Sequence, residues 1–333
     1  MSLAHSLPEV LENPVTGIGS LPFQLPEEAL RCVIDTTPEL PYWPQLPRKS
    51  QAEGMIQQFL GAARAFLAAR ERRAGYAISS RESFLESLAA SAGALDEHHA
   101  SGFFAFIEAL KSDRFPRARA LKGQVTGAWT LATTLHVGTS AATGDAQLLD
   151  ALVAHVGRVA RWQIAQLAQF GLPVILQVDE PGFMSARDTE AIAQARGALT
   201  PALDAIRNAG AIPLVHCCAR PVRAQFEGLA TPLSLDAGTF GAECAALAHE
   251  ETLPGFALGI APVHAAAEMS AAQLATQFQK EFGALAEPVA ERSIITPSCG
   301  LALATPAEAR RSFELAAAIA CALSAGRQLG AWR

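Results

Sequence analysis

The stretch Ile212-Pro213-Leu214-Val215-His216-Cys217-Cys218 is an apolar run of strand character that ends in three metal-capable side chains. Strand side chains alternate faces, so His216 and Cys218 share one face and Cys217 takes the other. Similar short runs recur outward from it, at Val15 to Ser20, Leu40 to Trp43, Gly123 to Gly127, Pro173 to Val178, Leu233 to Asp236, Phe256 to Ile260 and Ser293 to Thr296. Between them, Gln51 to Arg73, Ser83 to Lys111, Asp145 to Phe170, Thr189 to Ala209, Ala271 to Leu285 and Pro306 to Ala325 repeat apolar residues at helical spacing. Thr305-Pro306-Ala307-Glu308 reads as a helix start and Leu323-Ser324-Ala325-Gly326 as a stop. Strands alternating with helices along 333 residues predict an α/β fold. The expected form is a single (β/α)8 TIM barrel over residues 15–333 behind an N-terminal extension, residues 1–14, with a doubly wound open sheet as the structural competitor.

Composition narrows the function classes. The chain has 26 Lys+Arg against 32 Asp+Glu, a formal charge of −6, and no basic stripe beyond short patches such as Arg70 to Arg73 and Arg114 to Arg119. Nucleic acid is therefore not an expected partner. The longest apolar candidate, Leu315 to Ala325, is too short to span a bilayer, so no membrane is expected either. Met1-Ser2-Leu3-Ala4-His5 lacks the charged start and apolar core of a signal peptide, which predicts cytoplasmic residence. In that compartment the six cysteines are read for metal binding or catalysis before disulfides.

Barrel strands carry their functional groups at their C-terminal ends, where His216 and Cys218 lie. Ser298-Cys299-Gly300 brings another thiol to the end of a later strand. One imidazole and two thiolates suit Zn²⁺, leaving a fourth position open, and their softness argues against magnesium or calcium. Two thiolates cancel the charge of the ion, so a substrate thiol bound as a third would stay nucleophilic, and sulfur alkylation is the expected chemistry. The plainer alternative is a set of core cysteines beside a hydrogen-bonded histidine. Cys32, Cys244 and Cys321 have no partner pattern and read as structural.

Other strand ends add candidates. Gly17-Ile18-Gly19-Ser20-Leu21-Pro22 fails the dinucleotide pattern at Pro22 but leaves a loop whose amides and Ser20 hydroxyl can meet a carboxylate, or a simple tight turn. In Gln177-Val178-Asp179-Glu180-Pro181, Asp179 is placed to bind a substrate ammonium, while Glu180 faces the other way and serves a neighbouring element. Asp236 is a possible fourth metal ligand, a base behind His216, or a cap on its own turn. His264, just past the seventh strand, is a proton carrier or a solvated loop residue.

In this order, Gly17-Ile18-Gly19-Ser20, Val178-Asp179-Glu180-Pro181, His216-Cys217-Cys218 and Ser298-Cys299-Gly300-Leu301 resemble the C-terminal catalytic barrel of cobalamin-independent methionine synthase, from about residue 15 to about residue 325. The resemblance implies a single-barrel member of the methionine synthase and uroporphyrinogen decarboxylase superfamily. It implies zinc held by His216, Cys218 and Cys299, with Asp236 at the position of the family's further acidic ligand, activating the thiol of homocysteine in methionine biosynthesis. By the same likeness Ile18, Gly19 and Ser20 contact the amino-acid carboxylate, Asp179 its ammonium, and His264 passes a proton to the leaving group. The methyl donor would be a methyl-folate or a methyl-corrinoid, the latter carried free or by a corrinoid protein. Where the family has a glutamate for the ammonium, Arg48 and Lys49 stand, which makes Lys49 a substrate-binding candidate of the opposite charge. The alternatives are a decarboxylase-like lyase, a zinc hydrolase and a non-catalytic barrel that binds thiol or zinc.

Overall fold

The computed structural model describes residues 15–69, 75–249, 254–264 and 269–328. Ten strands follow in chain order: β1 Leu67–Ala69, β2 Tyr76–Ile78, β3 Leu121–Thr126, β4 Leu135–Val137, β5 Ser140–Ala141, β6 Val174–Asp179, β7 Ile212–Cys217, β8 Leu233–Leu235, β9 Phe256–Ala261 and β10 Ser293–Pro297. Six of them form one curled parallel sheet in the order β3-β6-β7-β8-β9-β10, a half-barrel in which sequence neighbours lie side by side. The segments expected as the first two strands appear only as isolated parallel bridges, Val15 to Ile295, Ser20 to Gln45 and Tyr42 to Lys122. β1, β2, β4 and β5 form a separate small sheet that periodicity did not reveal, because runs of two or three residues carry no period.

The sheet is buried on both faces, as a parallel sheet with helical crossovers must be. Phe256, Leu258, Leu233, Val215, Leu176 and Val178 belong to the large core shared with the helices. The other face buries a second, smaller cluster of Leu40, Ala120, Ile175, Leu214, Ala257 and Ile294. Further along the same strands that inner face turns polar, with Lys122, Gln124, Gln177, Asp179, His216, Ser234 and Thr296 all buried. An apolar plug thus closes one end of the interior, and the chemistry collects above it, towards the C-terminal strand ends.

Several expected helices are corrected. Gln51 to Arg73 is not one helix but three 3-10 turns, Gln51–Glu53, Gln57–Phe59 and Gly61–Phe66, followed by β1; residues 70–73 lie outside the described residues, as does the extension, residues 1–14. Gly54 and Gly61 interrupt the run, the latter at φ 54°. Ser83 to Lys111 is two helices, Arg81–Ala90 and Ser101–Lys111. The last helix starts as expected, with Thr305 and Glu308 bonded reciprocally, but runs to Gln328, past the expected stop at Gly326. Helices at Pro26–Thr36, Ala128–Thr134, Gly241–Ala248 and Ala286–Glu291 were not anticipated. No helix among the described residues is long and apolar enough to cross a membrane.

Candidate active site

β7 delivers His216 and, one step beyond its end, Cys218 to the inner face, while Cys217 enters the outer core. β10 reaches the same point through an irregularity: its register with β9 shifts between Thr296 and Pro297. Gly259 permits this, because a Cβ there would lie 2.8 Å from the Ser298 Cα and 2.9 Å from the Leu235 carbonyl. The bulge re-aims the chain, and Cys299 turns towards Cys218. The ligand atoms of His216, Cys218 and Cys299 all lie within 4.8 Å of one another. Tetrahedral zinc with Zn–S near 2.3 Å and Zn–N near 2.0 Å separates its donors by roughly 3.5–3.8 Å, so this soft donor set fits after a small contraction.

The cluster is electrostatically coupled. A hydrogen bond from Cys299 holds the Cys218 thiol below its ordinary value, and the same bond together with burial pushes Cys299 well up. Cys217, off the site, is raised to about 11 by burial. His216 Nδ1 lies 3.0 Å from the Ser234 hydroxyl, and the imidazole also makes a side-chain hydrogen bond with Cys299 inside the cluster. Sequence reasoning missed Ser234, although it sits on the same face as Asp236, two residues away.

These groups open into a cavity of about 240 Å³ whose lining includes Ile18, Ser20, Glu53, Met55, Asp179, His216, Cys218 and Cys299. Asp179 Oδ1 accepts a 2.6 Å bond from Gln177 Nε2, and burial raises its carboxyl against the favourable fields of His216 and Lys122. Its neighbour Glu180 points outward as expected, accepting bonds from Trp129 N, Thr130 N and the Thr130 hydroxyl at the start of helix Ala128–Thr134. Gly127 is required there because a Cβ would overlap the Glu180 carboxylate.

The glycine loop lies close against its surroundings. A Cβ on Gly17 would overlap the Tyr42 ring, and one on Gly19 would come 2.6 Å from Gln45 Oε1. The Gly19 and Ser20 carbonyls accept from Gln45 N and Leu301 N, while their own N–H groups donate to nothing among the described residues. Two unengaged amides beside a cavity suit an anion.

The main residue sequence reasoning missed is Glu53. Its fully buried carboxylate lines the cavity; Oε1 accepts from Lys49 Nζ at 2.8 Å and Ser101 Oγ at 2.6 Å, and Oε2 has no partner. The basic pair is therefore engaged elsewhere: Lys49 with Glu53 and Arg48 with the Ala304 carbonyl, and neither lines the cavity. The available sequence signal was the spacing of four between Lys49 and Glu53.

Two further candidates stand apart. Asp236 Oδ1 accepts the Thr239 N–H at 2.9 Å and is not in the three-residue cluster; burial raises its carboxyl. His264 is largely exposed, 3.9 Å from Glu308, and does not line the cavity.

A parallel half-barrel brings an imidazole and two thiols, a set able to hold a soft metal ion, together at its C-terminal strand ends beside a small cavity. The chain belongs to the family described as the cobalamin-independent synthase catalytic domain, whose model matches residues 109–322. That family is of the methionine synthase type, a methyltransferase domain acting on small molecules, and it binds zinc in general. No curated protein matches the chain.

Proposed function

We propose that this protein is a zinc-dependent S-methyltransferase that moves a methyl group from a folate or corrinoid donor to the thiol of homocysteine. The observation that carries the reading is one cavity lined by the His216, Cys218 and Cys299 donors and, beside them, by two buried carboxylates, Asp179 and Glu53. The three bridges of residues 15–45 are taken to complete the half-barrel as a (β/α)8 barrel, bringing the glycine loop next to β10.

When bound, zinc keeps the acceptor thiol deprotonated at neutral pH. The chain's own groups orient the rest of the amino acid. The Gly19 and Ser20 amides and the Ser20 hydroxyl take its carboxylate. Asp179 and the unpartnered Oε2 of Glu53 take its ammonium, and Lys49 holds the other oxygen of Glu53 so that it faces inward. Asp236 acts from outside the ligand set. In the transfer the acceptor sulfur forms a bond to the methyl carbon as the bond from that carbon to the donor breaks, and the electron pair leaves with the donor. A folate donor then takes up a proton, for which His264 at the rim is the carrier. Such a protein would work in the cytoplasm with diffusible substrates or a corrinoid carrier protein.

The test is a methyl-transfer assay with zinc-loaded protein, homocysteine and, separately, methyl-tetrahydrofolate and methylcobalamin. Methionine formed with one donor, and abolished by Cys218→Ala, supports the reading. No methionine from either donor with stoichiometric zinc present would overturn it in favour of a non-catalytic thiol-binding barrel.

A further inference from the structure

Lys122 lies on β3 with no exposure to solvent and does not line the cavity. A fully buried lysine is costly unless its amine is used. Its backbone is fixed on both sides, N–H to the Pro41 carbonyl at 3.0 Å and carbonyl to Trp43 N at 3.4 Å. Its Nζ donates to the Ile18 carbonyl at 2.8 Å and sits 5.6 Å from the centroid of the Tyr42 ring, the ring against which Gly17 lies. Gln177 Nε2 donates to the same Ile18 carbonyl at 2.9 Å. Two buried side chains from two strands thus converge on a single carbonyl of a loop that is otherwise irregular.

The consequence follows from peptide geometry. In a trans peptide the N–H points opposite to the carbonyl of the same unit, so fixing the Ile18 carbonyl towards Lys122 and Gln177 turns the Gly19 N–H away from them. The Gly19 carbonyl, held by Gln45 N, fixes the Ser20 N–H in the same way, so the two unengaged amides have a set direction before any ligand arrives. Preorganised donors of this kind bind an anion without an ordering cost.

We infer that Lys122 is a positioning residue for the substrate carboxylate: with Gln177 it clamps the Ile18 carbonyl and thereby aims the Gly19 amide, beside the Ser20 amide that Gln45 fixes through the Gly19 carbonyl. The inference rests on the proposed function only in taking an amino-acid thiol as the ligand of that loop. The amine makes this bond whether or not it carries its extra proton, so the clamp does not depend on its charge.

The experiment is calorimetric titration of zinc-loaded protein with two thiols, homocysteine and 3-aminopropane-1-thiol, which lacks the carboxylate. In the wild-type protein homocysteine binds more tightly. In Lys122→Met that preference falls about tenfold or more while the affinity for 3-aminopropane-1-thiol is unchanged, a discrimination that general loosening of the fold would not give. Gln177→Met, which removes the second donor, is read by the same ratio and decides the matter if Lys122→Met does not fold. Wild-type preference retained in the variants overturns the clamp alone. A wild-type protein indifferent to the carboxylate overturns the reading of the loop as a carboxylate site, and the clamp's role with it.

Discussion

The arc of chain from residue 15 to residue 66 and the sheet from β3 to β10 build the two sides of the same cavity by different means. The sheet side is regular: buried parallel strands hold His216 and, beyond their ends, Cys218 and Cys299 in mutual reach. The arc side has bridges and 3-10 turns in place of strands, yet supplies Ile18, Ser20 and Glu53 to the lining. Soft metal donors need one spacing held rigidly, which strands provide. On the proposed reading, the groups that meet an amino acid's carboxylate and ammonium are backbone amides and a carboxylate aimed inward, which irregular chain provides when it is pinned from behind. The pins are visible: Lys122 and Gln177 on Ile18, Gln58 on the His99 carbonyl, and His155 Nε2 on the Phe59 carbonyl.

The largest effect should come from the sheet side. Cys299→Ala removes a soft donor from a set of three, so the protein should no longer retain stoichiometric zinc against a chelator of moderate strength, with its melting temperature otherwise preserved. Retained zinc would show that the two sides are not divided as described.

The pin on the arc has its own pH signature. Burial holds His155 down to about 4, and its Nδ1 has no partner, so it folds as the neutral ring. An unfolded histidine takes up a proton near pH 6.5 whereas this one does not until about 4. Its contribution to stability is therefore complete above about pH 6.5 and is lost as pH falls towards 4, by about 3 kcal/mol in all. Urea titrations at pH 7 and pH 4.5 should show that loss, and His155→Gln, which keeps a donor for Phe59, should reduce it. An equal slope in the variant would contradict the assignment.

A smaller and more selective effect is expected at Glu53. Glu53→Gln should raise the KM for homocysteine about tenfold to a hundredfold while zinc content stays at the wild-type level. Loss of zinc in this variant would merge the two sides into one. The smallest effect is expected at Asp236: Asp236→Asn keeps an acceptor for the Thr239 N–H and should change zinc affinity by less than about tenfold, measured by chelator competition. A larger loss would make Asp236 a ligand.

The same division explains what could be read from the chain alone. β7 runs over the residues expected of it, and β3, β6, β8, β9 and β10 lie within a residue or two of theirs, because each is a short apolar run between turn signals. His216 and Cys218 were recognisable because strand parity puts both on one face at the end of β7; Cys299 was recognisable by its place after a later strand, although an irregularity at Thr296 and Pro297 rather than parity sets its direction. Glu53 was hidden inside a segment whose apolar spacing imitates a helix, and its inward aim depends on Lys49 and Ser101, the second of which is 48 residues away. Lys122 escaped because the strand was expected to begin one residue after it, at Gly123. The bond to Ile18 that gives it a use spans 104 residues.

The central claim is that His216, Cys218 and Cys299 hold a metal that takes a substrate thiol. X-ray absorption at the zinc edge, with and without homocysteine, tests it most directly. The account predicts two sulfur neighbours near 2.3 Å and one nitrogen from the protein, rising to three sulfur neighbours when homocysteine is added. Zinc surrounded by oxygen and nitrogen alone, or a sulfur count that homocysteine does not change, would contradict it.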